Sequence, residues 1–315
     1  MRKALVVGIN DYPSSPLSGC VNDANAISTI LESHGDGSPN FGVRLMTCPS
    51  AAVTRPALRE AIEQLFAGDA DMALLYFSGH GYIKSTGGYL VTTDAKKYDE
   101  GVSMDEVLAL ANQSKAKNKV IILDCCHSGA MGTPSQGTVT MAQLSEGLSV
   151  LTASRDSEYA IEIGGSGVFT SLVVDALQGG AADLRGNITP GSLYAYVDEA
   201  LGAWDQRPIF KTNITSFASL RKLTPKVPFE VMRRITKYFL TPDSEHKLDP
   251  SYEDKHAQAK PTNVSIFKDL QKLQSVGLVV PVDEEFMYFA AINSKSCRLT
   301  ALGYQYWRLV NEKKL

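Results

Sequence analysis

Two short stretches carry the side chains that could do covalent chemistry. The first is M-A-L-L-Y-F-S-G-H at 72–80, followed by Gly81; the second is K-V-I-I-L-D-C-C-H-S-G at 119–129. Each is an apolar run that stops on reactive residues, and His80 stands 46 positions before Cys126, with Cys125 beside it. A thiol at its ordinary pKa is mostly protonated at neutral pH, and a neighbouring imidazole makes it a nucleophile by taking its proton. The oxyanion formed when a thiolate attacks a carbonyl needs backbone N–H donors. Gly81 has no side chain and offers one N–H at close range; the N–H of Cys126 offers a second. Side chains alternate faces along a strand, so Cys125 and Cys126 do not both face His80. Two cysteines at a strand end, taken alone, also fit as small core hydrophobes.

These residues need a frame. The run Val120–Leu123 reads as a fully buried strand of a parallel sheet, and open α/β sheets place their chemistry at the carboxyl ends of such strands. Further strands are predicted at Lys3–Ile9, Phe41–Met46, Gly87–Val91 and Leu148–Ala153, with an edge strand at Pro208–Thr212. Helices are predicted at Val21–Leu31, from Pro56 onward with Thr54 as cap, and at Asp105–Ala111, Phe169–Leu177 and Leu193–Leu201. The alternation predicts an α/β domain over residues 1–222, a mainly parallel sheet flanked by helices.

Composition narrows the classes. The chain has 315 residues, 44% hydrophobic and 21% charged, with net charge −3, and carries no general nucleic-acid signature. No apolar run approaches the roughly 18 residues of a membrane span, so a cytoplasmic protein with no membrane partner is expected. Five cysteines occur without any C-x-x-C pair, which argues for thiols rather than a zinc site or a disulfide framework.

Several dispersed motifs carry a resemblance over roughly residues 1–220. They are V-V-G-I-N-D-Y at 6–12, G-C-V-N-D-A at 19–24, Y-F-S-G-H-G at 76–81, D-C-C-H-S-G at 124–129 and G-V-F-T-S at 167–171. In this order they resemble the caspase-like cysteine proteases, specifically the metacaspase and bacterial caspase-homologue branch, whose His-to-Cys separation is also similar. The resemblance implies that Cys126 is the nucleophile, that Cys125 occupies a variable position and that His80 is the general base. It further implies an acidic primary pocket built from Cys20, Asp23, Ser78 and Asp124. Two carboxylates in a partly desolvated pocket favour a buried cation, so cleavage after Arg or Lys is expected. The plainer reading is that Asp23 serves the N-terminus of a helix and Asp124 caps a strand.

Two departures from the family pattern bear on regulation. Many metacaspases need calcium. Here Asp94, Asp99 and Asp105 are available, but A-M-G-T-P-S-Q-G after H-S-G has no acidic residue, so no calcium site or other cofactor is expected. From Val120 to Ser154 there is no Lys or Arg. An enzyme specific for basic residues does not cut itself there, which implies a single-chain enzyme.

Residues 225–315 change character. They hold 14 Lys and Arg against 11 Asp and Glu, net +3, leaving 17 against 23, or −6, for the remainder. Helices are expected at Phe229–Phe239, along the stripe Phe267–Val276 closed by Gly277, and at Leu299–Val310. Strands are expected at Leu278–Val282 and Tyr288–Ile292, and a polar linker at Thr241–Pro261. This order resembles a small α+β winged-helix module. So mild a basic excess favours a sensing or interaction role, with a small signal molecule or protein activator, over DNA binding. The resemblance implies a signal-activated effector of bacterial defence or programmed cell death, acting on protein substrates. The rival reading is a catalytically silent caspase-like scaffold fused to a winged-helix DNA-binding regulator.

Overall fold

The computed structural model describes residues 1–48, 50–84, 87–125, 144–153, 165–201 and 207–315, and the backbone of 162–163. They form two compact units, Met1–Thr224 and Pro225–Leu315. The elements of the first unit run β1 Arg2–Ile9, α1 Cys20–Glu32, β2 Gly42–Cys48, α2 Arg55–Phe66, β3 Met72–Ser78, β4 Gly81–Lys84, β5 Gly87–Lys96 and β6 Asp99–Ser103. Then come α3 Met104–Gln113, β7 Asn118–Asp124, β8 Leu148–Thr152, β9 Glu162–Ile163, β10 Ser166–Gly167, α4 Val168–Asp175, β11 Asn187–Ile188, α5 Pro190–Leu201, β12 Ile209–Asn213 and β13 Arg221–Lys222.

Six strands make the central sheet in the order β12-β8-β7-β3-β1-β2. All neighbours are parallel except β12, which closes the edge antiparallel to β8. Every residue of β3 is buried, which is why its sequence is apolar throughout rather than alternating. The pleat nevertheless sorts side chains by parity. Leu75, Phe77, Ile121 and Leu123 point into a core with α2 and α3; Leu74, Tyr76, Val120 and Ile122 point into another with α1, α4 and α5. Thr54 caps α2 by accepting the Ala57 N–H at 3.4 Å, with Pro in the first turn as predicted. β4, β5 and β6 form a separate antiparallel sheet that starts directly after His80.

The second unit contains α6 Phe229–Arg233, α7 Ile235–Tyr238, β14 Glu245–Lys247, a 3₁₀ turn at Pro250–Tyr252, α8 Pro261–Ser275, β15 Val279–Val282, α9 Met287–Ile292, β16 Ser296–Leu299 and α10 Ala301–Asn311. Gly277 takes the left-handed conformation, φ +74°, after α8, as expected of a helix C-cap. Three expectations fail. The strand expected at Tyr288–Ile292 is a helix, because Met287, Ala290 and Ala291 are the buried residues and their spacing is helical. The expected helix Phe229–Phe239 breaks at Arg234. The expected linker after Thr241 holds a strand and a 3₁₀ turn, because Leu248 and Tyr252 are buried within an otherwise polar run. The sheet order is β14-β16-β15, antiparallel.

Candidate active site

Register lines up the site. Gly8, Ser78 and Asp124 form one row across β1, β3 and β7 at the carboxyl ends of the strands. Gly8 is required there: a Cβ on it would lie 2.3 Å from the carbonyl oxygen of Cys20, so only glycine lets α1 start this close to the sheet. That approach brings Asp23, in the first turn of α1, over Ser78, whose hydroxyl donates to Asp23 Oδ2 at 3.2 Å. Asp23 also accepts the N–H of Gly167 at 3.2 Å. Asp124 Oδ2 accepts the Thr170 hydroxyl at 2.5 Å, and Thr170 Oγ1 lies 2.5 Å from Tyr76 Oη.

Gly167 ties the two carboxylates together. A Cβ on it would meet Asp124 Oδ2 at 2.5 Å and Asp23 Oδ2 at 3.2 Å, so both face the same small volume. Asp23, Ser78 and Asp124 are all buried, and Cys20 is buried at the first position of α1. Burial, and then the negative charges of Asp124 and Asp23, push the Tyr76 hydroxyl well above its ordinary pKa, so it remains a neutral hydrogen-bonding group. Asp23 is thus more than a helix-end residue: its partners Ser78 and Gly167 belong to other elements.

His80 follows β3 by two residues and is half-buried. Its Nε2 lies 2.7 Å from the carbonyl oxygen of Ser15. A carbonyl only accepts, so Nε2 carries a proton and Nδ1 is the nitrogen with the lone pair in the neutral ring. Its backbone N–H donates to the Tyr12 hydroxyl at 3.0 Å, that hydroxyl donates to Val91 O at 3.2 Å, and the two rings stand 4.5 Å apart. Tyr12 is buried, and burial holds its hydroxyl well above the ordinary pKa, so it stays a neutral support for His80. Gly81 opens β4 immediately after His80. Cys125 is fully buried in the core on the α2–α3 face. Cys126 lies outside the described residues, as do residues 127–143 of the stretch that lacks Lys and Arg. Among the described residues no group of three or more His, Cys, Asp or Glu could hold a metal ion, and no helix is long and apolar enough to cross a membrane.

The sequence profile of the caspase domain, peptidase family C14, matches residues 1–219. The chain belongs to the caspase domain family. Proteins of this family are cysteine peptidases. Among solved structures, a protein of Geobacter sulfurreducens superposes with TM-score 0.53 at 19% identity, covering 71% of this chain and 98% of that one. Caspase-1 from Spodoptera frugiperda superposes with TM-score 0.50 at 13% identity, over 70% of this chain and 90% of its own. At such identities the likeness concerns the caspase-like fold. No curated protein matches the sequence.

Sequence reasoning did not assign Tyr12, Tyr76, Gly167 or Thr170 a role. Tyr12 closes the first family motif, and Gly167 and Thr170 belong to the last, so the signal was present. What was missing was the fold that brings G-V-F-T-S against the two carboxylates.

Proposed function

We propose that the chain is a cysteine endopeptidase that cuts protein substrates after Arg or Lys. Cys126 supplies the nucleophile and His80 the base. The Cys126 thiol gives its proton to His80 Nδ1, and the thiolate attacks the carbonyl carbon following the basic side chain. The N–H groups of Gly81 and Cys126 hold the oxyanion. The C–N bond then breaks, His80 returns the proton to the leaving amine, and water hydrolyses the thioester with His80 again as base. The buried state of Cys125 supports Cys126 as the attacking sulfur, since a thiol without solvent access meets no substrate.

The observation that carries this reading is the convergence of Asp23 and Asp124 on Gly167, at the same end of the sheet as a His80 whose Nε2 is fixed on Ser15. Two buried carboxylates facing one volume favour a cation and reject an anion. Cys20 and Ser78 complete that subsite. The Pro225–Leu315 unit is read as a winged-helix-like module for sensing or interaction, supported by its helices and its three-stranded sheet. Its activator would be a small signal molecule or a protein.

Fluorogenic peptides ending in Arg, Lys or Asp test the proposal, with Cys126→Ala and Cys125→Ala as controls. Turnover of the Arg and Lys peptides only, abolished by Cys126→Ala and retained in Cys125→Ala, is expected. Turnover that survives Cys126→Ala, or a preference for Asp, would overturn it.

A further inference from the structure

The basic-residue subsite gives no role to a large cavity that shares His80. It measures about 690 Å³ and lies between His80 and the β4–β6 sheet. It sits on the opposite side of the central sheet from the carboxylates. Tyr12 and Val91, in its wall, pack with the α2–α3 core, whereas Tyr76 and Phe169, beside the carboxylates, belong to the α1–α4 core. The size is that of a ligand pocket, about 300–1,000 Å³.

Its lining is positively charged. Lys84, Lys96 and Lys97 line it with one carboxylate, Glu100; Asp94, outside the lining, acts on Lys96. Lys84 is ion-paired with Glu100. Neither Lys96 nor Lys97 has an ion pair among the described residues.

Tyr98, on the rim, is 81% exposed and holds a left-handed backbone, φ +73°, unusual for a bulky residue. Its N–H donates to Glu100 Oε1 at 2.9 Å, and the ammonium groups of Lys84 and Lys97 stand 5.3 and 5.2 Å from its ring centroid. Lys97 and Tyr98 form the two-residue turn between β5 and β6, where a positive φ fits the hairpin twist. On the far side of the hairpin, Arg55 anchors Asp99 at 2.6 Å.

We propose that this cavity is the subsite for substrate residues on the leaving side of the cut bond, and that it selects an acidic side chain there, held by Lys96 and Lys97 beside Tyr98. The inference rests on the peptidase reading above. In that chemistry the imidazole returns its proton to the leaving amine, so the chain beyond the cut bond passes over His80. The carboxylates take the residue before the cut. The cavity that shares His80 and lies across the sheet from them takes the residues after the cut. The substrate therefore reads basic, then acidic, matching carboxylates on one side and lysines on the other.

Internally quenched peptides test this, with Arg before the cut and two glutamates, alanines or lysines after it. We expect kcat/KM to fall from Glu through Ala to Lys, by about tenfold overall at low salt and less as salt is added. The double substitution Lys96→Glu with Lys97→Glu inverts that order. A second arm reads the cavity without turnover. In Cys126→Ala protein, fluorescence anisotropy compares a dye-labelled peptide carrying two adjacent glutamates with one carrying two lysines. Tighter binding of the acidic peptide, reversed by the double substitution, supports the subsite even if no peptide is cut, in which case the peptidase reading alone fails. Equal binding of the two peptides, or a preference that the double substitution leaves unchanged, overturns the subsite.

Discussion

The Tyr12 hydroxyl accepts the backbone N–H of His80 at 3.0 Å and donates a hydrogen bond to the Val91 carbonyl, so one buried phenol fixes the peptide that carries the imidazole. Tyr12→Phe keeps the ring and removes both bonds. Leaving buried polar groups unpaired costs about 1–3 kcal/mol. At roughly 2–4 °C per kcal/mol for a domain of this size, the melting temperature should fall by several degrees. Since the ring that backs His80 is retained, kcat should drop more than KM rises. Calorimetry and peptide kinetics check the pair of effects, and a variant unchanged in both would refute the role.

The Tyr76–Thr170–Asp124 chain makes a prediction about stability. Thr170→Val is nearly isosteric but takes a hydrogen bond from Asp124 and a partner from Tyr76, both buried. The loss should be about 1–3 kcal/mol by urea unfolding. Thr170→Ser restores the hydroxyl and should recover most of it. A Val variant as stable as the parent, with a loss only in the Ser variant, would mean that the methyl group, and not the hydrogen bonds, matters.

Gly167→Ala addresses binding. The added Cβ would press on Asp124 Oδ2 at 2.5 Å, and that oxygen cannot swing away cheaply because Thr170 holds it. The carboxylates should part, and each 1.4 kcal/mol lost in cation binding is tenfold in KM for Arg peptides. An unaltered KM with normal folding would separate Gly167 from the cation subsite.

The reach of each signal decided how much was readable in the sequence. The parallel sheet, its edge strand and the Thr54 cap were legible because apolar runs, periodicity and capping are local signals. His80 and the carboxylates were legible through motif order. Tyr12 and Thr170 were not assigned, because their partners are 68 and 46 residues away and nothing local marks the contact. In the second unit, M-Y-F-A-A-I is apolar nearly throughout, so periodicity alone did not separate strand from helix; the burial of Met287, Ala290 and Ala291 did. The polar run before Leu248 hid a strand because β14 is only three residues long, Glu245, His246 and Lys247, and none of them is apolar.

Tyr238 gives the second unit an alkaline signature. Its hydroxyl donates to Asp269 at 2.5 Å, beside an Arg234–Asp269 ion pair at 2.7 Å. Burial, then Asp269, raises its pKa from 10.0 to about 12. A raised folded-state pKa means that the protonated phenol is favoured in the fold. Its contribution is fully present below pH 10 and is lost as pH rises toward 12. Tyr12 and Tyr76 also titrate late, so phenolate absorbance should show one fewer tyrosine titrating near pH 12 in Tyr238→Phe than in the parent, and the variant's stability deficit should vanish across that window. A deficit independent of pH would place the effect in packing alone.

The cysteines themselves supply the sharpest chemical test. Alkylation needs a thiolate and access. Cys297 is fully buried and its pKa is raised to about 12, by burial first and Glu245 second; at pH 7 its thiolate fraction is roughly one in 100,000. Cys48 is buried and its pKa is raised by burial and by Asp11, while Cys20 and Cys125 are buried too. A nucleophile paired with an imidazole has the opposite character. Brief iodoacetamide treatment of the folded protein at pH 7, read by peptide mass spectrometry, should therefore mark Cys126 first and leave the other four until denaturant is added. Replacing His80 with Ala should slow that single reaction by removing the base, without speeding the others. Labelling at Cys125 ahead of Cys126 would show that the wrong sulfur had been chosen, and labelling of Cys126 at the same rate with and without His80 would separate the two halves of the dyad.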